Sequence, residues 1–311
     1  MGSLGGRRVD LLNVRKIWDA APHSAFTDLA RFGDAWFCTF REGEAHVSPH
    51  GALRVISSSD GVKWSSMALH TSETGDLRDP KLCITPSSRL MLCAASALHQ
   101  PAPASHQSVV YFSDDGRAWD GPVAVGDPGF WIWRVTWHLG MAYGVGYERS
   151  ARGGGRVRLY RSTDGQRFDV LVETLCDAGF PNEATLRFLD DDTGLCLLRR
   201  EQDTRSALLG IARPPYQAWR WLDLGVQVGG PNLIVLPDRR CLVGGRLYEG
   251  CQRMALCWLD HKLGVTREAL ALPSGGDCSY PGLVWYGDTL WVSYYSSHEG
   301  NAAIYLARVA A

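Results

Sequence analysis

Short runs of apolar, β-branched and aromatic residues recur along the chain, and clusters of Gly, Pro, Asp and Ser separate them. Runs with such boundaries are typical of β-strands joined by tight turns. Clear examples are the segments 35–40, 54–57, 89–94, 108–112, 157–160 and 289–295. Helical periodicity is not sustained beyond a turn or two anywhere. The pattern therefore predicts an all-β protein.

A longer period is superimposed on the strand pattern: six times, polar residues open a strand that continues as an apolar run. The openings are marked by Asp28, Asp79, Arg134, Glu183, Asn232 and Tyr280, which are 51, 55, 49, 49 and 48 residues apart. A period of this size indicates a radial array of repeated units. We therefore expect one domain over residues 1–311, a six-bladed β-propeller of four-stranded antiparallel blades. The six polar openings should then meet at one axial pocket.

A shorter motif, S-x-D-G-x-x-[W/F], occurs at 58–64, 113–119 and 162–168, in step with the long period. Its Ser and Asp side chains can bond the backbone of a turn, and its Gly can adopt a positive φ. The motif therefore predicts a hairpin turn that the aromatic side chain covers. We expect the three motif aspartates to be structural and not catalytic; they are Asp60, Asp115 and Asp164.

Composition limits the classes of function. The 32 basic and 33 acidic residues leave a net charge of −1, which argues against a nucleic-acid partner. No apolar run is long enough for a bilayer, and residues 1–10 lack the apolar core of a signal peptide. The nine cysteines follow no spacing pattern, so free thiols are favoured, and a disulfide between a pair such as Cys251 and Cys278 is the alternative. These features predict a cytoplasmic protein, and a secreted form with a trimmed signal stays open.

Two segments and the hairpin motif together resemble the sialidase (neuraminidase) superfamily, whose members are six-bladed propellers with Asp-box hairpins. Residues 181–186, followed by 190–191 and Arg199, resemble the Asn-Glu segment of that family and its downstream arginine. Residues 278–284, followed by 287–290, resemble the segment that carries the tyrosine nucleophile. The resemblance covers most of the chain at low similarity.

The resemblance implies that Tyr280 is the catalytic nucleophile and that Glu183 is the base that accepts its proton. The anomeric carbon of a sialic acid carries a carboxylate, which would repel an anionic nucleophile. A neutral tyrosine beside a carboxylate base avoids this repulsion. The structural alternative is that Tyr280 caps a strand and that Glu183 pairs with Arg187.

The resemblance also implies an arginine clamp for the substrate carboxylate, because guanidinium groups offer fixed bidentate donors. Arg199 corresponds to the second arginine of this clamp, and Arg246 is the candidate for the third. The first has no counterpart, because the first repeat opens with Phe-Thr-Asp-Leu at 26–29. Arg78 and Arg41 are candidates to replace it. The departure puts sialic acid itself in doubt and leaves a glycosidase of another acidic sugar open.

The resemblance also implies that the general acid lies on the loop 41–47, where Glu44 and His46 are equal candidates. Asp79 is a third candidate. Four more residues at strand openings are candidates for binding the sugar: Asp28, Arg134, Asn182 and Asn232.

These residues favour an exo-glycosidase that hydrolyses a terminal acidic sugar, such as sialic acid, of a carbohydrate partner. No cofactor is predicted, and no metal site is predicted, since the nine histidines show no metal-binding spacing. One alternative is a lyase or hydrolase for uronic acid or another sugar, with Tyr280 or His46 as base. The other is a non-catalytic propeller that binds glycans or protein. The sequence does not indicate the oligomeric state.

Overall fold

The computed structural model describes residues 8–100, 104–148 and 155–311. Within these ranges the regular secondary structure is entirely β. The first twelve strands are β1 Asp10–Trp18, β2 His23–Phe32, β3 Ala35–Gly43, β4 Ala52–Ser58, β5 Ser65–His70, β6 Gly75–Ile84, β7 Leu90–Leu98, β8 His106–Ser113, β9 Asp120–Val125, β10 Phe130–His138, β11 Met141–Glu148 and β12 Val157–Ser162. The other twelve are β13 Asp169–Cys176, β14 Pro181–Phe188, β15 Gly194–Arg200, β16 Leu208–Ala212, β17 Arg220–Asp223, β18 Val228–Val235, β19 Cys241–Leu247, β20 Arg253–Asp260, β21 Val265–Ala271, β22 Cys278–Tyr286, β23 Thr289–Ser296 and β24 Ala303–Ala310.

These strands form six four-stranded antiparallel sheets, each of which is one blade of a propeller. Blades one to five each use four consecutive strands, from β2–β5 to β18–β21. Blade six combines β22, β23 and β24 with β1, which pairs antiparallel with β24. The innermost strands β2, β6, β10, β14, β18 and β22 contact one another in sequence around the axis. The predicted six-bladed β-propeller is therefore confirmed, and the first strand of the chain completes the last blade.

Every innermost strand has an irregularity near its start, where its pairing with the next strand shifts register. The shifts fall at Ala25/Asp28, Arg78/Lys81, Ile132/Val135, Pro181/Ala184, Gly229/Asn232 and Ser279/Gly282. In four blades the first residue of the bulge has a positive φ: Phe26 (65°), Asp79 (52°), Gly230 (60°) and Tyr280 (48°). A bulge bends its strand and re-aims side chains, which is why such irregularities occur beside functional sites. The polar residues that recur along the sequence therefore mark the bulges of the innermost strands, which all lie at one end of the propeller axis.

The three S-x-D-G motifs form the turns between the third and fourth strands of blades one to three. In the first, Ser58 Oγ accepts the Gly61 N–H at 2.8 Å, and Asp60 Oδ1 accepts the Val62 N–H at 2.7 Å. The backbone hydrogen bonds from Lys63 and Val62 lower the pKa of Asp60 to about 2. The other two turns repeat these bonds around Asp115 and Asp164. Because successive strands are antiparallel, these turns lie on the face opposite the bulges.

Apolar side chains pack between neighbouring blades in buried clusters, and Phe37 of blade one, for example, shares a cluster with Leu92 and Tyr111 of blade two. All nine cysteines are free, so the alternative pair of Cys251 and Cys278 is not formed. Within the described ranges, no helix has the length and apolar character needed to cross a membrane. Residues 1–7, where a signal peptide would begin, lie outside the described residues.

Candidate active site

The innermost strands of blades four and six bring Glu183 and Tyr280 into contact. The Tyr280 hydroxyl donates a 2.5 Å hydrogen bond to Glu183 Oε1. Glu183 Oε2 accepts the Arg199 Nη1–H at 2.8 Å and the Gly230 backbone N–H at 2.8 Å. Both side chains are buried, with Tyr280 8% and Glu183 6% exposed. The arginine paired with Glu183 is Arg199, whereas Arg187 donates to Asn232.

The pKa values of Tyr280 and Glu183 are shifted in opposite directions. Burial raises the pKa of Tyr280 well above its ordinary value, and the negative charge of Glu183 raises it further. Burial also disfavours the ionised form of Glu183, but the Arg199 charge and the hydrogen bonds from Tyr280, Arg199 and Gly230 bring the pKa of Glu183 below its ordinary value. Near neutral pH the pair therefore consists of a protonated phenol and an ionised carboxylate. In that state Glu183 can accept the phenolic proton as the Tyr280 oxygen bonds to another atom.

The backbone around Tyr280 explains why blade five opens with glycine. Gly230 has a positive φ, and a Cβ on it would lie only 1.9 Å from Tyr280 Cδ1. On the other side, Thr27 Oγ1 donates to the Tyr280 carbonyl at 2.8 Å. The neighbouring Ser279 Oγ donates to the Gly229 carbonyl at 2.7 Å. These contacts hold Tyr280 in a left-handed conformation that an L-residue rarely adopts.

Asp79 occupies in blade two the bulge position that Tyr280 occupies in blade six. It is buried, and its Oδ1 has no hydrogen-bond partner within the described part of the chain. Burial raises the pKa of Asp79; the charges of Arg78 and Lys81 oppose this shift, and the charge of Glu183 adds to it. A carboxyl group that keeps its proton to higher pH is suited to protonating a leaving group.

The two other candidates for the general acid lie in different surroundings. Glu44 is exposed on the loop between β3 and β4. His46, on the same loop, is half-exposed, and its Nδ1 lies 2.7 Å from Asp277 Oδ2. Its ring packs edge-on against Phe26, whose own ring contacts Tyr280 with a centroid distance of 5.0 Å. Of the three candidates, Asp79 alone is buried.

Three arginines border the Tyr280–Glu183 pair and keep part of their side chains exposed: Arg78 (11%), Arg199 (15%) and Arg246 (13%). Arg78 lies over the Phe26 ring, with 5.3 Å between the guanidinium carbon and the ring centroid. Arg199 donates a hydrogen bond to Glu183, and Arg246 donates one to the Tyr295 hydroxyl at 3.2 Å. The Tyr295 ring in turn packs edge-on against Tyr280. Each of these arginines thus contacts a residue that itself contacts Tyr280, and the three come from different blades.

Arg41 is fully buried and has a different position. Its Nε donates to Asp76 Oδ1 at 2.8 Å, and its Nη atoms donate to the carbonyls of Ala45 and Ser48. A Cβ at Gly51 would lie 2.2 Å from Arg41 Nε, so glycine is required there. Arg41 therefore holds the loop that carries His46 and is not placed to contact a substrate.

The four remaining candidates for sugar binding also bond protein groups. Asn182 Oδ1 accepts the Glu183 backbone N–H at 2.6 Å, which places its side chain next to Glu183. The Asn232 side chain is buried and donates to the Pro281 carbonyl at 2.8 Å. Arg134 Nη1 donates to Asp28 Oδ2 at 2.7 Å, and both residues are buried. Asn232, Arg134 and Asp28 therefore stabilise the inner strands from within.

Asp28→Ala is expected to lower the free energy of unfolding by about 3–5 kcal/mol, because Arg134 would remain buried without its partner. The Leu82 N–H, which Asp28 Oδ2 accepts at 2.8 Å, would also lose its acceptor. Asp120→Ala is the matched control, since it breaks an exposed ion pair with Arg89 and should cost less than about 1 kcal/mol. Urea unfolding measures both variants, and equal losses would contradict the structural role of Asp28.

Two charged residues at this centre were not predicted from the sequence. Lys81 is buried, and its Nζ lies 4.8 Å from the Trp133 ring centroid and 5.4 Å from that of Tyr280. The pKa of Lys81 is lowered to about 8, mainly because the group is buried and secondly because of the charge of Arg134. The second residue is Asp277, which accepts the Tyr295 hydroxyl at 2.8 Å. The sequence offered two signals for these residues: a lysine lies within an apolar strand run, and an aspartate adjoins the segment that carries Tyr280.

No protein-family model matches the chain, and no curated protein sequence matches it. Solved structures match it well. A protein of unknown function from Dyadobacter fermentans aligns with a TM-score of 0.86 and 18% identity over 97% of this chain and 99% of that chain. An α-L-arabinanase from Penicillium chrysogenum, complexed with arabinobiose, aligns with a TM-score of 0.75 and 14% identity over 96% and 98%. Trypanosoma rangeli sialidase aligns with a TM-score of 0.73 and 12% identity over 93% of this chain and 55% of that chain. At these identities, the likeness shows that the chain shares their propeller fold.

Proposed function

We propose that this protein is a glycosidase that hydrolyses a terminal acidic sugar, with Tyr280 as nucleophile and Glu183 as its base. The observation that carries the proposal is the 2.5 Å hydrogen bond from the Tyr280 hydroxyl to Glu183 Oε1 in a buried axial site. An arabinanase and a sialidase share the fold, which supports a carbohydrate substrate.

In the first step, the Tyr280 oxygen attacks the anomeric carbon and Glu183 accepts the phenolic proton. Asp79 donates its proton to the departing glycosidic oxygen, so the bond from the anomeric carbon to that oxygen breaks as the bond to Tyr280 forms. In the second step, a water molecule attacks the same carbon and gives a proton to Asp79. The Tyr280 oxygen leaves and recovers its proton from Glu183. Two displacements at one carbon give retention of configuration.

The charges around the pair suit an anionic sugar. A neutral phenol meets less repulsion from a substrate carboxylate than an ionised Asp or Glu would. Arg78, Arg199 and Arg246 supply guanidinium donors around the same centre. Lys81, close to the Tyr280 ring, stabilises the negative charge that develops on the phenol oxygen in the second step.

A neutral sugar is the second candidate substrate. Arg199 and Arg246 already bond protein acceptors, and the arabinanase aligns with a higher TM-score than the sialidase. A pocket with fewer available guanidinium donors would suit a pentose without a carboxylate.

A panel of aryl glycosides tests these candidates on the full chain: sialic acid, a ketodeoxy acid, glucuronate and arabinofuranose. Turnover of one of the three acidic glycosides is the expected result. Turnover of the arabinofuranoside alone would favour the neutral-sugar candidate. Turnover of none, together with sugar binding in calorimetry, would replace the enzyme proposal by a glycan-binding propeller.

Arg246→Met is expected to raise KM for the acidic glycoside about 10- to 100-fold, because a charge-assisted hydrogen bond contributes about 1.5–3 kcal/mol. The kcat should change much less, since the carboxylate is bound in both ground and transition states. Arg213→Met, which removes an exposed arginine paired with Asp191, serves as the control and should leave KM unchanged. Steady-state kinetics on both variants decide the point, and an unaltered KM in Arg246→Met would remove this arginine from the clamp.

A further inference from the structure

We propose that His23, His46 and Asp277 form a binding site for a divalent transition-metal ion of the Zn²⁺ class at the rim of the axial site. One nitrogen of each histidine and one carboxylate oxygen of Asp277 lie within 4.8 Å of one another. His23 Nε2 is 3.0 Å and His46 Nδ1 is 2.7 Å from Asp277 Oδ2.

The three side chains come from separate parts of the fold. His23 is the first residue of β2, His46 lies in the loop between β3 and β4, and Asp277 directly precedes β22. Two imidazole nitrogens and one carboxylate oxygen are a common ligand set for Zn²⁺, and also for other divalent transition metals. The site is distinct from the Tyr280–Glu183 pair, although the Phe26 ring touches His23, His46 and Tyr280.

The ligand spacing is close to that of a metal centre. Bonds of about 2.1 Å to a tetrahedral ion separate neighbouring ligand atoms by roughly 3.4 Å. The two distances to Asp277 Oδ2 would therefore have to open by roughly 0.4–0.7 Å from 3.0 and 2.7 Å. His46 can make this adjustment, because its side chain is half-exposed and sits on a loop.

The surroundings favour a centre with an open position. The Tyr295 hydroxyl donates to Asp277 Oδ1 at 2.8 Å, which leaves Oδ2 directed at the two histidines. Three protein ligands leave a fourth position, which the exposed side of His46 makes accessible to water.

Two features limit the affinity. Arg246 Nη2 lies 3.6 Å from Asp277 Oδ1, and its positive charge repels a cation. Within the described residues, His23 Nδ1 is buried without a hydrogen-bond partner, whereas metal-ligating histidines usually donate their second N–H. We therefore expect weaker binding than at a closed four-ligand structural site.

Metal analysis of the untagged full chain tests the proposal without any substrate. The protein is treated with a chelator, loaded with Zn²⁺, desalted and measured for zinc per chain, and its affinity is obtained by competition with a chromophoric indicator. One equivalent of zinc is expected for the wild type. His46→Ala and His23→Ala should each weaken binding at least tenfold. Co²⁺ in place of Zn²⁺ should give visible absorption bands that both variants lose.

Two control variants separate this site from other ligands. His138→Ala removes a histidine from a similar pair, in which Nε2 lies 3.0 Å from Asp192 Oδ1, and it should leave zinc binding unchanged. Cys251→Ser removes the exposed thiol and should also have no effect. His46 is half-exposed and lies on a loop, so His46→Ala should nearly keep the wild-type melting temperature in chelator. This variant therefore remains informative if His23→Ala misfolds. Wild-type zinc content equal to that of His46→Ala, or binding that depends on Cys251, would overturn the proposal and leave a hydrogen-bonded His–Asp–His cluster.

Discussion

Tyr280→Phe is expected to lower kcat/KM at least about a thousandfold on every glycoside that the wild type hydrolyses. The substitution removes the one atom that would form the covalent bond and leaves the ring in its packing against Phe26 and Trp133. Glu183 keeps its bonds from Arg199 and Gly230, so its charge remains compensated. Steady-state kinetics with the most reactive aryl glycoside measure the loss.

Tyr294→Phe is the matched control for this result. Tyr294 is also a buried tyrosine of blade six, and its hydroxyl donates to the Pro273 carbonyl at 2.9 Å. Each variant loses one hydrogen bond of a tyrosine hydroxyl, which should cost about 1 kcal/mol of stability. Only Tyr280→Phe should lose activity. A Tyr280→Phe enzyme within tenfold of the wild-type rate would show that another group is the nucleophile.

Asp79→Asn is expected to lower kcat/KM about 10²- to 10⁴-fold for glycosides with poor leaving groups. For nitrophenyl glycosides the loss should be far smaller, because nitrophenolate departs without a proton. In the proposed mechanism the wild-type rate requires protonated Asp79, so it should fall as pH rises through the raised pKa of this carboxyl. The pH profile of Asp79→Asn should lack this fall in rate at high pH. Leaving-group series and pH profiles test both statements, and identical losses across the series would exclude Asp79 as the acid.

The same substitution has an effect on stability that needs no substrate. Because the pKa of Asp79 is higher in the folded than in the unfolded state, the wild type should lose stability as pH rises from the unfolded pKa through the folded pKa. Asp79→Asn removes this loss and should be relatively more stable above that window. Asp60→Asn should show the opposite sign, since the pKa of Asp60 is lowered on folding. Urea unfolding across the pH range distinguishes the two.

Much of the fold could be predicted from the sequence, because the period of the strand openings fixed the number of blades. The partner of β1 could not, since an alternating strand pattern does not identify a partner at the far end of the chain. β1 pairs with β24 in blade six. That pairing is visible only when the ring is complete.

The candidate site was predictable in part, and the positions of the bulges explain why some of the predicted residues have a different role. Asp79 and Tyr280 are first residues of a bulge, and Glu183 is a second residue. Asp28 and Asn232 follow their bulges directly, and their side chains bond neighbouring inner strands. A shift of one residue turns a side chain to the other face of a strand. The alternation of polar and apolar residues does not show where a bulge lies, so all six markers were expected at the pocket.

The cluster of His23, His46 and Asp277 was not predictable for a different reason. Metal-binding motifs are recognised in a sequence when their ligands are close together. Here the ligands lie on β2, on the following loop and just before β22, at nearly opposite ends of the chain. Only closure of the ring brings the first and last blades together.

The pairing of β1 with β24 also sets an order of events during synthesis. The ribosome releases β1 long before β24, the strand with which it pairs. Until β24 has emerged, β1 lacks its pairing partner, and β22, which bears Tyr280, is not yet joined to β1 in a blade. The blade that carries Tyr280 can therefore be completed only after β24 has been made.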